Sequence, residues 1–372
     1  MSKVQDDFQN SSVLRSVRLS RIIPPILIGL VVVIWLMYRQ LDMDELSNIN
    51  WDTHVFFWLF MAVLMYVARH LFYSWRLRIM TDKEFSWPKS MELIVLWEFA
   101  SAVSPTSIGG SGVALFLLAQ EKLSTAKTVS VVLYSMVIDT IFFVVSLPLL
   151  YLILGPIMIR PGMESLSDVD GFGYTLFGVI SFMAFYGAVF YYGLFINPRT
   201  IKRLFLWISR FPFLKRFRQD LRQTAMDVVD TAKEMQKKNF LFHTKTMIAT
   251  IGAWVTRFLA INCIIIALIA ATPVDFYNQF LIMARGESMH VTTSFSPTPG
   301  GAGIAEYLFG GYYIDYVSEG IASLVALVWR LITYYTYLIG GAIIIPVWIR
   351  EVMNRRMRDA RKKEEESQTV EI

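Results

Sequence analysis

Six charged residues lie inside otherwise apolar stretches of this 372-residue chain, where each charge costs at least about 2.5–3.5 kcal/mol on membrane-insertion scales. They are Arg69, Arg257, Arg330, Glu98, Asp139 and Glu306. A guanidinium group can hold a phosphate group through two parallel hydrogen bonds, whereas a buried carboxylate can neutralise an arginine or exchange a proton. The residue types therefore predict either an anion-binding site within a membrane or internal ion pairs that only stabilise the fold. Arg69 is the weakest candidate, because near the end of its stretch a long side chain can snorkel to the interface.

Two glycine-rich breaks interrupt apolar stretches and resemble each other closely. The first reads S-P-T-S-I-G-G-S-G-V-A at 104–114 and the second S-P-T-P-G-G-A-G-I-A at 296–305. Proline disfavours continuation of a helix, and glycine permits backbone conformations that other residues resist. The breaks therefore predict a ligand site at membrane depth, with a purely structural turn as the alternative. The expected residues are the helix-breaking Pro105 and Pro297 and the site-lining Gly109, Gly110, Gly300 and Gly301.

A new half-helix is expected after each break, starting at Val113 in the first and at Ile304 in the second. A helix N-terminus carries about half a positive charge and several free N–H groups, so it attracts anions such as phosphate. Two such N-termini together with three arginines suggest a site for an anionic headgroup.

The charges are spaced alike in the two halves of the chain. Asp139 and Arg330 each lie 29 residues beyond the second glycine of their break, and Arg69 and Arg257 each lie in the apolar stretch before it. The alternatives are chance recurrence of short Gly/Pro motifs and glycines that only let helices pack closely. We interpret the pattern as an internal repeat. In transporters with inverted repeats, unwound segments meet near the bilayer midplane and form the substrate site.

The composition places these segments in a membrane. Hydrophobic residues make up 55 % of the chain and charged residues only 17 %, whereas soluble domains contain about 25 % charged residues. Since a crossing needs about 20 predominantly apolar residues, six stretches qualify as spans. They are 22–38, 55–73, 128–154, 172–194, 246–271 and 320–348.

The two broken stretches, 91–120 and 278–313, have arms too short to cross a hydrocarbon core about 30 Å thick. If both are re-entrant, the segment 197–245, with 12 Lys+Arg and 4 Asp+Glu, lies on the same side as the tail from Arg350, with seven Lys/Arg. By the positive-inside rule this side is the cytoplasm. We therefore predict an all-α polytopic protein of the cell membrane with both termini cytoplasmic. Six spanning helices and two re-entrant broken-helix hairpins form two inverted-topology repeats.

This organisation divides the chain into four parts. A cytoplasmic N-terminal tail (1–21) precedes a first repeat (22–171), a second repeat (172–349) that includes the basic segment 197–245, and a charged cytoplasmic tail (350–372). Within the basic segment, residues 201–240 alternate apolar and basic side chains at helical spacing, as in helices that lie on an anionic leaflet. Nucleic acid is the alternative partner of a basic amphipathic stretch, but a place between two spans favours lipid headgroups.

Several other chemistries lack support. Four histidines without ligand spacing and a single cysteine, Cys263, argue against a metal site and a disulfide framework. The P-loop, H-E-x-x-H and G-x-S-x-G motifs are missing, so neither ATP-driven pumping nor a common hydrolase mechanism is indicated. We expect no cofactor and no enzymatic activity. Arg285, Glu287 and His290, which precede the second break, could relay protons or simply form its polar mouth.

The sequence P-T-P-G-G-A-G-I-A-E at 297–306, followed by Arg330, resembles the second-half motif of the lysylphosphatidylglycerol synthase transmembrane (flippase-like) family. The break from Pro105 to Gly110 is similar to the first-half motif of that family, although Ser111 stands where the family has a glutamate. The resemblance covers most of residues 20–350. Multi-domain members carry an aminoacyl-transferase domain after the membrane part. With 23 residues after Ile349, the resemblance implies the translocation half without the synthase half.

The leading hypothesis is a membrane lipid translocase that moves an anionic or lipid-linked substrate across the bilayer. The second is an integral-membrane enzyme or accessory subunit that acts on a lipid-linked substrate, and the third is a scaffold whose buried charges are structural. The expected partners are membrane lipids and not nucleic acid, while the lipid, its direction, the energy source and the oligomeric state are left open. The proposed substrate-binding arginines are Arg257, Arg330 and Arg69, and the charge-pairing or proton-exchanging carboxylates are Asp139, Glu306 and Glu98.

Overall fold

The computed structural model describes Ser47 and residues 49–370, apart from 105, 122, 198, 200–202, 204–206, 208–234, 295, 297, 299–300 and 302. These residues form α-helices joined by short connections, and the described part contains no β-strand. The predicted first span (22–38), Pro105, Pro297, Gly300 and most of the amphipathic stretch 201–240 lie outside the described residues.

Ten α-helices lie within the described residues. They are α1 Thr53–Met80, α2 Trp87–Val103, α3 Thr106–Ala119, α4 Thr125–Leu154, α5 Gly171–Tyr191, α6 Phe240–Leu268, α7 Phe276–Thr293, α8 Ile304–Tyr313, α9 Glu319–Arg330 and α10 Thr336–Val370. A π-helical turn, Tyr192–Ile196, extends α5, and a second, Leu331–Tyr335, joins α9 to α10. Two 3-10 turns, Pro156–Met158 and Leu166–Asp168, connect α4 to α5.

Polar side chains cap the N-termini of the long helices. At α1, Asp52 Oδ1 accepts a hydrogen bond from the Val55 amide at 3.1 Å, and at α6 Asn239 Oδ1 accepts one from the Phe242 amide at 2.9 Å. Asp275 caps α7 in the same way. Such caps satisfy backbone N–H groups that the first turn leaves unpaired and contribute about 1 kcal/mol each. The starts of these helices therefore follow from residues next to the apolar stretches.

Five helical segments in the described part are long and apolar enough to cross a membrane. They are Thr53–Met80, Lys127–Leu154, Gly173–Tyr191, Phe240–Leu268 and Glu319–Arg355. Each coincides with one of the predicted spans, and the last runs from α9 through the π-helical turn into α10. The all-helical membrane fold is thereby confirmed. The sixth span, the re-entrant course of the hairpins and the inversion of the repeats stay predictions.

A helix-break-helix unit is present at each of the two predicted breaks. Helices α2 and α3 have 17 and 14 residues, and α7 and α8 have 18 and 10. At 1.5 Å per residue, the longest of these is about 27 Å, shorter than a hydrocarbon core about 30 Å thick. In each unit the two helices pack against each other.

The first break is shorter than predicted. Helix α3 begins at Thr106, so Gly109 and Gly110 lie inside a helix, and the prediction that the helix restarts at Val113 is wrong. A Cβ atom on Gly110 would lie 2.0 Å from Ser101 Oγ on α2. Glycine is therefore needed here for close helix packing, the role that small residues have between membrane helices.

The second break agrees with the prediction, because α8 begins at Ile304. Gly301 and Gly303 have φ angles of +69° and +83° in the segment before it. Glycine adopts this left-handed region without the steric cost of a Cβ atom. The second break is thus a genuine interruption of the helix.

Helices α1 and α6 pack along each other and join the two halves of the chain. Ala62 of α1 and Ile261 and Ile265 of α6 belong to one buried apolar cluster. Each of the two helices also carries an arginine, Arg69 on α1 and Arg257 on α6, towards a common cavity.

Candidate functional site

A cavity of about 280 Å³ lies where the two halves meet. Its wall is formed by α1, α2 and α4 from the first half and by α6, α7, α8, α9, the turn Leu331–Tyr335 and α10 from the second. Ser294, Ser296, Thr298 and Gly301, near the second break, also line it. Six charged side chains line it: Arg69, Arg76, Arg257, Arg330, Glu98 and Asp139. Five of the six charges predicted from the sequence therefore meet at one place. The sixth, Glu306, is bonded to Arg330.

Arg69 is almost fully buried, with 1 % of its side chain exposed. Its Nη2 atom lies 2.9 Å from Glu98 Oε2, and its Nη1 atom donates to the Tyr337 hydroxyl at 3.0 Å. The guanidinium group also lies 4.7 Å from the centre of the Tyr73 ring, a cation–π arrangement. Arg69 therefore does not snorkel to an interface; it is neutralised inside the protein.

Arg76 is a cavity residue that the sequence reasoning missed, because the predicted span ends at residue 73. Helix α1 continues to Met80, so Arg76 follows Arg69 by two helical turns and lies on the same face. Its Nη1 atom lies 2.5 Å from Asp139 Oδ1, which also accepts a hydrogen bond from Trp254 Nε1 at 2.8 Å. The seven-residue spacing from Arg69 is the sequence signal that could have found it.

Arg330 forms a buried ion pair with Glu306. The Arg330 Nε atom donates to Glu306 Oε1 at 2.6 Å, and at most 6 % of either side chain is exposed. The other oxygen, Oε2, accepts a hydrogen bond from the Gly303 amide at 2.7 Å. The N-terminus of α8, predicted to attract an anionic ligand, is thus already engaged by a carboxylate of its own helix.

Arg257 differs from the other three arginines. Among the described residues it forms no ion pair and no hydrogen bond. Its guanidinium group lies 5.5 Å from the centre of the Trp254 ring and faces the cavity with its side chain only partly covered. An arginine with its donors uncommitted is available to a ligand.

The two halves place different residues near these span arginines. Ser104 and Ser296 open the two matching breaks, and six residues before them stand Glu98 and His290. Both side chains line the cavity. In the first half the carboxylate neutralises its arginine, whereas in the second half a histidine occupies the matching position and Arg257 keeps its charge.

The charges in and around the cavity therefore do not cancel. Four arginines face three carboxylates, of which each is paired with one arginine. A buried charge without a partner is costly, so an anion that enters the cavity recovers part of that cost. A guanidinium group is shaped to donate two hydrogen bonds to phosphate oxygens. The described residues contain no group of His, Cys, Asp and Glu arranged to hold a metal ion.

The predicted glycines fall in different places. Gly301 lines the cavity, whereas Gly110 packs against Ser101 and lies outside the cavity wall. Gly109 lies in α3, and Gly300 lies outside the described residues, as do both prolines. The first break reaches the cavity through Ser104 instead.

A membrane-spanning helical fold with a charged cavity between its halves defines a polytopic membrane protein with a central polar site. The chain belongs to the family described as the lysylphosphatidylglycerol synthase TM region, whose model matches residues 22–341. The chain is also 22 % identical over 318 residues to a UPF0104 membrane protein of Archaeoglobus fulgidus, a match that covers 82 % of this chain and 89 % of the relative. No solved structure matches the chain. The matched region includes both breaks and all six charged residues of the cavity wall, and the predicted family is confirmed.

Proposed function

We propose that this protein binds an anionic membrane lipid by its headgroup in the central cavity and moves it across the bilayer. The observation that carries the proposal is Arg257, a cavity arginine that has no carboxylate partner among the described residues. The family match supports a lipid-related role, because the matched membrane region is named after a synthase of lysylphosphatidylglycerol, a phospholipid.

The charge of the cavity suits a lipid phosphodiester. Such a group carries one negative charge, and the cavity has one arginine more than the carboxylates can neutralise. The Arg257 side chain would donate to two phosphate oxygens, while the paired Arg69, Arg76 and Arg330 hold the wall in shape. In this proposal Arg257 alone binds the phosphate, and the other charges of the cavity wall neutralise one another.

Transport would follow from movement of the halves about the contact between α1 and α6. Rocking of one repeat against the other exposes a central site to the two sides of a membrane in turn. In this proposal the protein resides in the cell membrane with both termini in the cytoplasm, membrane lipids are its partners, and it catalyses no covalent step.

A reconstitution experiment tests the role of Arg257. Purified protein is placed in liposomes with fluorescent phosphatidylglycerol, and a membrane-impermeant quencher measures exchange between leaflets. Arg257→Gln should slow exchange about 10- to 100-fold, because hydrogen bonds to a charged group contribute about 1.5–3 kcal/mol each. Arg257→Lys, which keeps the charge but not the planar fork, should fall between the two.

The matched control is Arg350→Gln, because Arg350 carries the same side chain but is exposed on α10. This variant should exchange lipid at the wild-type rate. Equal exchange by the wild type and Arg257→Gln would contradict the claim that the lipid headgroup binds Arg257 in the cavity. No exchange by the wild type above that of empty liposomes would contradict the proposed function itself.

A further inference from the structure

Glu287 is a buried carboxyl group that the ion pairs of the cavity do not use. It lies on α7 with 2 % of the residue exposed. Its Oε1 atom is within hydrogen-bond distance of Ser146 Oγ on α4. Within the described part of the chain, no lysine, arginine or histidine forms an ion pair with it. Burial of a carboxyl group without a counter-cation favours the neutral, protonated form.

The number of protons available around Ser146 also indicates that Glu287 is protonated. Ser146 Oγ lies 2.7 Å from the Phe142 carbonyl oxygen and also contacts Glu287 Oε1. A serine hydroxyl has one proton to donate. If Glu287 is protonated, it donates to Ser146 and Ser146 donates to Phe142, so both contacts are hydrogen bonds. If Glu287 is ionised, one of the two oxygen pairs has no proton between its atoms.

The helices around α7 provide no described cation that pairs with Glu287 and would stabilise its ionised form. Helices α4, α5, α6 and α8 and the turn Pro156–Met158 pack against it, and the turn has no titratable side chain. Among described residues, no titratable group of these elements or of α7 itself is bonded to Glu287. Of the titratable groups on these elements, Tyr312 contacts Thr292, Tyr313 donates to the Ile282 carbonyl oxygen, and Asp139, Arg257 and His290 line the cavity. Arg285 is engaged by Asp315 at 2.5 Å.

Two helices connect Glu287 with the cavity. On α7, His290 follows Glu287 by three residues, about 4.5 Å along the helix, and lines the cavity. On α4, Asp139 precedes Ser146 by two turns, about 10 Å, and also lines the cavity. The Trp254 ring lies between these helices, 4.8 Å from His290 and hydrogen-bonded to Asp139. The two helices that hold the contact between Glu287 and Ser146 therefore also form part of the cavity wall.

We infer that Glu287 is the proton-exchanging group of this protein and that it couples lipid movement to a proton gradient. The coupling rests on the proposed function, whereas the proton site does not. In the closed arrangement the carboxylic acid donates to Ser146. When α4 and α7 separate, water reaches the group through the cavity past His290, the O–H bond breaks, and the proton passes to that water. Uptake of one proton by the carboxylate, from the other side, completes the cycle.

Infrared difference spectroscopy tests the proton site without any lipid. The purified full chain is titrated from acidic to alkaline buffer, and the carbonyl stretch of protonated carboxylic acids is followed. One such band should persist well above the pH at which exposed glutamates ionise, and it should be missing in Glu287→Gln. Glu164→Gln is the matched control, because Glu164 is exposed, and it should keep the band.

Transport under an imposed pH gradient tests the coupling. With the membrane potential clamped at zero and one proton moved per lipid, a gradient of one pH unit should shift the steady-state distribution of fluorescent phosphatidylglycerol about tenfold. The Glu287→Gln variant, which resembles the protonated acid in shape, should exchange lipid but ignore the gradient. The Glu164→Gln control should respond like the wild type.

The two sets of results separate the inference from the proposed function. A band that survives in Glu287→Gln, or a Glu287→Gln variant that follows the gradient like the wild type, would overturn the inference. Lipid exchange by the wild type without any gradient response would overturn the coupling to protons but would agree with the proposed translocase function. If the wild type moves no lipid, the translocase fails, and the infrared band alone decides whether Glu287 holds a proton.

Discussion

The two halves of the protein bring an arginine to the same cavity and treat its charge differently. In the first half Arg69 is buried and bonded to Glu98 at 2.9 Å. In the second half Arg257 has no such partner in the described structure, and His290 stands at the position that matches Glu98. The difference shows that charges at equal places in a repeat need not share a role. A paired charge holds the wall together, whereas an unpaired one is available to a ligand.

The largest expected effect is a difference in stability between variants of the two arginines. Arg69→Met should lower the free energy of unfolding in detergent by about 3 kcal/mol, because the partly buried Glu98 loses its ion-pair partner and Tyr337 loses the hydrogen bond from Arg69. Arg257→Met should leave it unchanged or raise it, because it removes a charge that forms no ion pair with the described residues. Denaturant titration followed by tryptophan fluorescence measures both.

The double variant Arg69→Met with Glu98→Met is the control for this experiment. It should recover most of the lost stability, since replacing both members of a buried pair by apolar residues is often neutral. A loss in Arg257→Met as large as that in Arg69→Met would mean that both arginines are structural.

A smaller effect is expected when the second half is made to resemble the first. His290→Glu places a carboxylate at the position that matches Glu98, where it can neutralise Arg257. Binding of phosphatidylglycerol, measured by native mass spectrometry, should weaken about 10-fold or more, while the protein stays folded. His290→Gln, which adds no charge, should bind nearly as well as the wild type. If both variants bind equally, the cavity charge does not select the lipid.

The smallest effects concern the glycines of the two breaks. Gly301→Ala should cost about 1–2 kcal/mol, because its φ angle is +69°. Gly110→Ala should cost about 1–3 kcal/mol through its clash with Ser101. The distinction lies in the rescue: Ser101→Gly removes the contacts with Oγ and Cβ, though not the one with Cα, and should restore part of the stability lost in Gly110→Ala but none of that lost in Gly301→Ala. Thermal unfolding of the four variants checks this, and rescue of both glycine variants would contradict the assigned roles.

The spans could be predicted from the sequence because the signal is local. A run of apolar residues long enough to cross a membrane can be recognised from its length and composition. Five such predictions coincide with helices in the described structure. The start of α8 at Ile304 was predictable for the same reason, since glycine and proline precede it. Residue type and spacing along the chain are sufficient for these features.

The first break was predicted wrongly because a glycine pattern has two meanings. Glycines can interrupt a helix, as Gly301 does with its positive φ angle, or can let one helix approach another, as Gly110 does beside Ser101. Only the neighbour on α2 distinguishes these cases. Arg76 was missed because the end of α1 was placed too early, and the terminal turns of helices are where prediction is least certain.

The sequence by itself determined that this protein is a helical membrane protein, where five of its helices are long and apolar enough to span, and that a few charges recur at matching places in two halves. These properties depend on the order of apolar and charged residues along one chain. The tertiary structure alone decided which charge meets which: Arg76 with Asp139, Arg330 with Glu306, and Arg257 with no carboxylate in the described part. An ion pair depends on distances of about 3–4 Å between residues far apart in sequence, and only the packing of helices sets those distances.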